Sequence, residues 1–301
     1  MKLPDSVRRI YPFKDRWIDI DGHQVHYLDE GSKDNPTVIL LHGNPTWSFL
    51  YREIIPLIQP DCRAIAPDYV GMGLSDKPLD ERWYTLENHT RVITQFIEEL
   101  TLKDVVLVVQ DWGGPIGIGY ALGHLDNVAG MVIMNTWAWP EPSEFHTSIF
   151  PWRLLHAPIL GSHFLLRLNV LIERGLYLST GNREKMKSKA VMEGYRFPFP
   201  TPESRIAILA FPRNIPLHPG DLNWDHMARM EVGLNKLPFP CRLLWGAKDI
   251  VFPPANALKF HDLIPTCSSP RMISHGRHFI QEDAPEEIAE EILMLVNQAR
   301  A

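Results

Sequence analysis

The chain has 301 residues, of which 45% are hydrophobic and 22% charged, with 30 basic against 36 acidic side chains for a net charge of −6. That length suits one large α/β domain carrying an insertion, or two small domains, and the near-average composition excludes a disordered chain. An acidic balance with no lysine or arginine block argues against nucleic acid and anionic membrane as main partners.

In chain order, the opening MKLPDSVRRIYPFKDR has no continuous apolar core and no small-residue cleavage site, so no secretory signal is read. No apolar run is long enough to span a bilayer. Residues 16–20 and 23–28 flank Asp21-Gly22, a hairpin signal. Residues 37–41 are an apolar run but for the leading Thr37, as expected of a strand buried on both faces, and 63–66, 105–109 and 128–134 repeat that texture. Between them, 85–100 has helical spacing (Leu86, Val92, Ile93, Phe96, Ile97, Leu100) with Thr85 as a cap, and 113–122 is a second helix of small residues. Strands alternating with helices predict a parallel sheet covered on both faces.

After Pro140 the texture changes. To about residue 225 the chain is rich in proline and aromatics, helical in pattern, and without a convincing buried strand. Strand patterns return at 241–245 and 271–274, with helices at 256–263 and 286–298. The economical division is a core of 1–137 and 225–301 interrupted by a helical cap at 138–224. Cys62, Cys241 and Cys267 are an odd set without metal-like spacing, and are expected to be reduced, buried thiols of a cytoplasmic protein.

The segment from Val105 through Gln110, Asp111, Trp112, Gly113 and Gly114 runs from strand to helix across a sharp turn. Its shape resembles the nucleophile elbow G-x-Nuc-x-G, with Val109 in place of the first glycine and Asp111 in place of serine. An acid directly after apolar strand residues is costly unless solvated, paired or functional. The substitution selects a chemistry. Serine attacking a saturated carbon would leave an ether, whereas a carboxylate leaves an ester that water can cleave, so two steps replace one hard one. The plainer alternative is that Asp111 merely caps the following helix.

Two further groups fall where such a fold delivers them. Asp249 follows the late strand pattern in LLWGAKD, and His278 follows the next one in SHGRHF. The order nucleophile, acid, histidine is that of α/β-hydrolases, and all three sit at C-terminal strand ends. Asp249 as a loop-capping acid and His278 as a structural histidine are the bland alternatives. His275 competes with His278, which is preferred because Gly276 permits a tight turn before it. His42-Gly43-Asn44 after the strand at 37–41 has the form of an oxyanion loop, whose Asn44 N–H would join that of Trp112. The Asn44 and Trp112 side chains add two neutral N–H donors that would bind a halide as its charge develops, although turn chemistry before Pro45 and apolar packing explain either one alone.

HGNPTWSFLYR, PDYVGMGLSDKP, QDWGG, WGAKD and GRHFIQEDAP resemble the haloalkane dehalogenase family over essentially the whole chain. The resemblance implies an α/β-hydrolase fold with Asp111 as nucleophile, His278 as base, Asp249 as its orienting acid, and Asn44 with Trp112 as halide ligands. It implies a small apolar halogenated substrate, water, a released halide, and no cofactor or metal. Some members take the acid from the strand before the cap; Asn135 stands there, which points to the subgroup with the acid at Asp249. A second halide tryptophan, where used, would come from Trp137, Trp139 or Trp152. The same subgroup resembles β-lactone decarboxylases of olefin biosynthesis, and the apolar stretch 150–170 suits either a small pocket or a long-chain tunnel. Epoxide hydrolases share the aspartate but need cap tyrosines, for which Tyr177 and Tyr195 are candidates. A receptor that kept the fold without turnover is disfavoured by the intact set of groups. A dinucleotide-binding reading of the glycines from Gly113 to Gly119 fails on spacing. The apolar cap and Pro151-Trp152 leave the oligomeric state open.

Overall fold

Strands apolar on both faces have no side to present to water, so they pair in the middle of a sheet that helices cover. In the computed structural model, which describes residues 2–140 and 157–300, eight strands join in the order β1-β2-β4-β3-β5-β6-β7-β8. They are β1 (Arg16–Ile20), β2 (His23–Glu30), β3 (Thr37–Leu41), β4 (Arg63–Pro67), β5 (Val105–Gln110), β6 (Val128–Met134), β7 (Cys241–Gly246) and β8 (Arg271–Ile273). Central β3 and β5 are buried at every position. β1 and β2 form the antiparallel hairpin, turning at Asp21 and Gly22 with φ of 51° and 79°, the two positive values a type I′ turn requires. β2 meets β4 antiparallel, and every pairing from β4 to β8 is parallel.

The strand order decides where a site forms. β3 lies between β4 and β5, so the chain leaves it toward one edge and β5 toward the other. Loops after two such neighbours part and leave a crevice at their C-terminal ends. Asn44 and Asp111 stand on those two loops.

Helix α1 (Leu86–Glu99) starts where Thr85 Oγ1 accepts from the Asn88 N–H at 3.1 Å. α2 (Gly113–Gly123) follows β5 directly and is largely buried. Between β6 and β7 the described residues form helices and turns with no strand, the inserted helical cap, including α3 (Lys189–Arg196) and α4 (Ile206–Arg213). α5 (Pro254–Leu263) and α6 (Pro285–Arg300) complete the flanking layers. A short helix at Asp5–Arg8, too brief to show a period in sequence, packs against α3. Phe150, Pro151 and Trp152 lie outside the described residues.

A buried ion pair ties cap to core. Arg52 holds Glu282 bidentately at 2.5 and 2.7 Å, and Tyr195 of α3 donates its hydroxyl to the same carboxylate. Lys185 spans from the cap to Glu53 at 2.6 Å and to the Glu282 carbonyl at 2.9 Å. Fork-shaped pairing of this kind compensates charges that burial alone would expel. The three thiols are unpaired. Cys62 and Cys241 are buried as expected, but Cys267, on the segment after α5, is only half-buried. No helix among the described residues is long and apolar enough to cross a membrane.

Candidate active site

Asp111 leaves the end of β5 with φ 51°, a left-handed conformation that costs a side-chain-bearing residue roughly 1–3 kcal/mol. The neighbours hold it there. Its N–H donates to the Asn135 carbonyl at 3.1 Å, and Thr136 Oγ1 donates to its carbonyl at 2.5 Å. The turn lifts the carboxylate off the sheet edge toward the loop after β3. A Cβ on Gly43 would run into the Asp111 carboxyl, so that loop approaches only because glycine stands there. The Asn44 N–H then donates to Asp111 Oδ1 at 2.7 Å. Asp111 therefore does not cap α2 through its side chain. Its carbonyl accepts the first helical bond, from Gly114 at 2.9 Å, and its carboxylate faces the cavity.

His278 lies opposite, with Nε2 3.5 Å from Asp111 Oδ2 and Nδ1 3.1 Å from Asp249 Oδ2. The loop from Gly246 to Asp249 and the loop after β8 bring these two together. Ser274 and His275 form the turn that Gly276 closes, its N–H donating to the Ile273 carbonyl at 3.0 Å. His275 is carried outward, exposed and against the Asp283 carbonyl, which removes it from competition. Asp249 does more than a loop cap would. Oδ1 accepts from the Val251 N–H at 2.7 Å, leaving Oδ2 for the imidazole.

Burial opposes a charge on His278, but the flanking carboxylates of Asp249 and Asp111 outweigh it and lift the imidazole from 6.5 to about 10. His42, on the loop after β3, goes the other way. Burial holds it neutral below its ordinary range, so Nε2 accepts from the Tyr69 N–H at 3.2 Å while Nδ1 lies 3.0 Å from the Gly43 carbonyl, stiffening the turn under Asn44.

Two residues that sequence reading gave no part complete the arrangement. Asn135, considered only as a missing carboxylate, donates Nδ2 to Asp249 Oδ2 at 2.6 Å and accepts the Gly246 N–H at 3.1 Å. Gln110, the last residue of β5, donates to the His278 carbonyl at 3.2 Å and sits 3.3 Å from its Nε2. A polar glutamine closing an apolar strand was the available signal.

Asn44, Asp111, Trp112 and His278 line one cavity of about 60 Å³, whose other walls are mostly apolar, such as Leu171, Pro212 and Phe252. Trp112 packs edge-on to Trp137 at 4.9 Å and against Phe211 of the cap at 5.0 Å. Its amide opens α2, where no intrahelical acceptor exists for it. The Asn44 side chain also reaches the cap, where Nδ2 donates to the Ile208 carbonyl at 3.3 Å. Trp137 and Trp139 are buried but stand outside the lining. Tyr195 is committed to Glu282, Tyr177 lies beneath Arg183, and neither is among the described residues that line the cavity.

Residues 36–285 match the family described as alpha/beta hydrolase fold. Haloalkane dehalogenase 2 of Mycobacterium tuberculosis is 36% identical, over 95% of this chain and 96% of its own. A cis-3-alkyl-4-alkyloxetan-2-one decarboxylase of Shewanella oneidensis is 33% identical, over 93% and 87% respectively. Among solved structures, the haloalkane dehalogenase DbeA from Bradyrhizobium elkani superposes with a TM-score of 0.88 at 28% identity, covering 96% of this chain and 99% of that one.

Proposed function

The chain belongs to the haloalkane dehalogenase family of α/β-hydrolases, and on that footing we propose that it hydrolyses carbon–halogen bonds of small apolar substrates through an ester on Asp111. The observation that carries the proposal is the geometry of one carboxylate. Oδ1 is held at 2.7 Å by the Asn44 N–H while Oδ2 lies 3.5 Å from His278 Nε2, on a residue that lines the cavity.

Oδ2 attacks the carbon that bears the halogen, and the carbon–halogen electron pair leaves with the halide toward the Trp112 indole and Asn44. A neutral donor pair suits this, since it stabilises charge that appears only as the bond breaks. The ester carbonyl oxygen is then Oδ1, already on the Asn44 N–H. Forming the ester removes the Asp111 charge that helped hold the His278 proton, which frees the imidazole to act as base. Water attacks the Asp111 carbonyl carbon and passes its proton to His278, while Asn44 and Trp112 N–H groups hold the oxyanion. As the intermediate collapses, His278 returns its proton to the departing alkoxide, and the acid left on Asp111, carrying one oxygen from water, loses its proton to solvent to restore the carboxylate. Asp249 fixes the imidazole throughout. Nothing in this sequence of steps needs a cofactor.

The mostly apolar walls support a substrate without charge, and the small cavity supports a short one. The decarboxylase likeness supports a second reading, in which Asp111 opens a β-lactone. A lining without a tyrosine among the described residues counts against epoxide opening. Halide release from a short bromoalkane, run beside a dialkyl β-lactone assay with Asp111→Asn as control, separates the readings. Bromide release that the control abolishes supports dehalogenation; alkene and carbon dioxide without bromide release overturns it.

A further inference from the structure

Helix α4 carries Pro212 inside its last turn. Proline has no N–H, so the carbonyl four residues earlier, that of Ile208, loses its ordinary helical donor, and the ring pushes that carbonyl off the helix axis. A buried carbonyl without a donor is costly. Here the missing donor is supplied from the other side of the cavity, by Asn44 Nδ2 at 3.3 Å. Pro212 and Asn44 both line the cavity, so the contact forms at its wall.

We infer that Pro212 is a positioning residue for halide binding, acting through the Ile208 carbonyl on the amide of Asn44. This rests on the dehalogenase reading. An asparagine amide has two N–H groups and can rotate by half a turn. The Ile208 carbonyl repels Oδ1 and attracts Nδ2, so it selects one of the two orientations. One N–H is spent on the cap, and the second is left for an anion in the cavity beside the Trp112 indole. Oδ1, which would repel a halide, is buried and has no partner among the described residues. Half of the halide ligand set is thereby oriented by the cap rather than by the core that carries Asn44.

Pro212→Ala returns an N–H to α4, lets Ile208 be satisfied within its own helix and releases the Asn44 amide. Bromide affinity, measured by calorimetry, is expected to weaken about tenfold, the scale of one oriented hydrogen bond. In an Asn44→Ala background the same Pro212→Ala change is expected to have no further effect on bromide, which a merely structural role of the proline would not produce. On the unaltered protein, nitrogen-15 spectra are expected to show two distinct Asn44 side-chain protons, of which bromide shifts one and leaves the other. Wild-type protein that binds no bromide overturns the dehalogenase reading and this inference with it. Wild-type binding that Pro212→Ala leaves unchanged, effects of the two substitutions that simply add, or bromide shifting both amide protons alike overturns the inference alone. Should Pro212→Ala not fold, the spectra of the unaltered protein decide.

Discussion

Asn135 Nδ2 lies 2.6 Å from Asp249 Oδ2, the same oxygen that faces His278 Nδ1 at 3.1 Å. One carboxylate oxygen thus accepts from an amide and an imidazole together. The amide is held in turn by the Gly246 N–H on Asn135 Oδ1, so its orientation is fixed. A position that could have carried the acid instead steadies the acid that stands across from it.

Asn135→Ala should lower turnover by about tenfold to a hundredfold, the range for a hydrogen bond to a charged group. With one donor gone the Asp249 charge acts more fully on the imidazole, and the His278 titration moves upward. Nuclear magnetic resonance of the imidazole together with steady-state rates checks both. An unchanged titration would remove Asn135 from the arrangement.

His278→Phe should stop the second step and spare the first. Turnover falls by on the order of a thousandfold, as expected when a general base is lost. Intact mass after exposure to a bromoalkane should then rise by the alkyl group, and the modified peptide should contain Asp111. Protein of unaltered mass after prolonged exposure contradicts the ester.

The raised His278 titration has a signed consequence. Its folded value of about 10 exceeds the ordinary 6.5, so protonation of this residue favours the folded chain. That contribution is complete below pH 6.5 and is lost as pH rises through about 10. Unfolding free energy of the wild type should fall more steeply across this interval than that of His278→Gln. In Asp111→Asn, which imitates the charge loss on ester formation, the His278 value should drop, read from imidazole chemical shifts.

The cap latch separates stability from chemistry. Glu282→Ala leaves Arg52 buried without its partner and should cost about 3–5 kcal/mol. Tyr195→Phe removes one hydrogen bond to the same carboxylate and should cost about 1.5–3 kcal/mol, with bromoalkane turnover at 25 °C unchanged. Thermal unfolding and rate measurements on both variants test this. A Tyr195→Phe protein of full stability but no turnover would move that hydroxyl into the chemistry.

The strands were legible because burial on both faces demands apolar residues at nearly every position, and β3 after Thr37 and β5 before Gln110 have nothing else. The hairpin was legible from Asp21-Gly22, since so few residues accept two positive φ values in succession. Asp111, Asp249 and His278 could be picked out because each is a polar residue just past a strand end, and chain order does not depend on packing. Partnership is another matter. Which histidine turns inward, what Asn135 holds, where Tyr195 sends its hydroxyl and which carbonyl orients Asn44 join residues far apart in sequence, such as Asn44 and Ile208. Periodicity records which face of an element is buried, not what it is buried against. Those pairings exist only once sheet order and cap placement bring distant loops within hydrogen-bond distance.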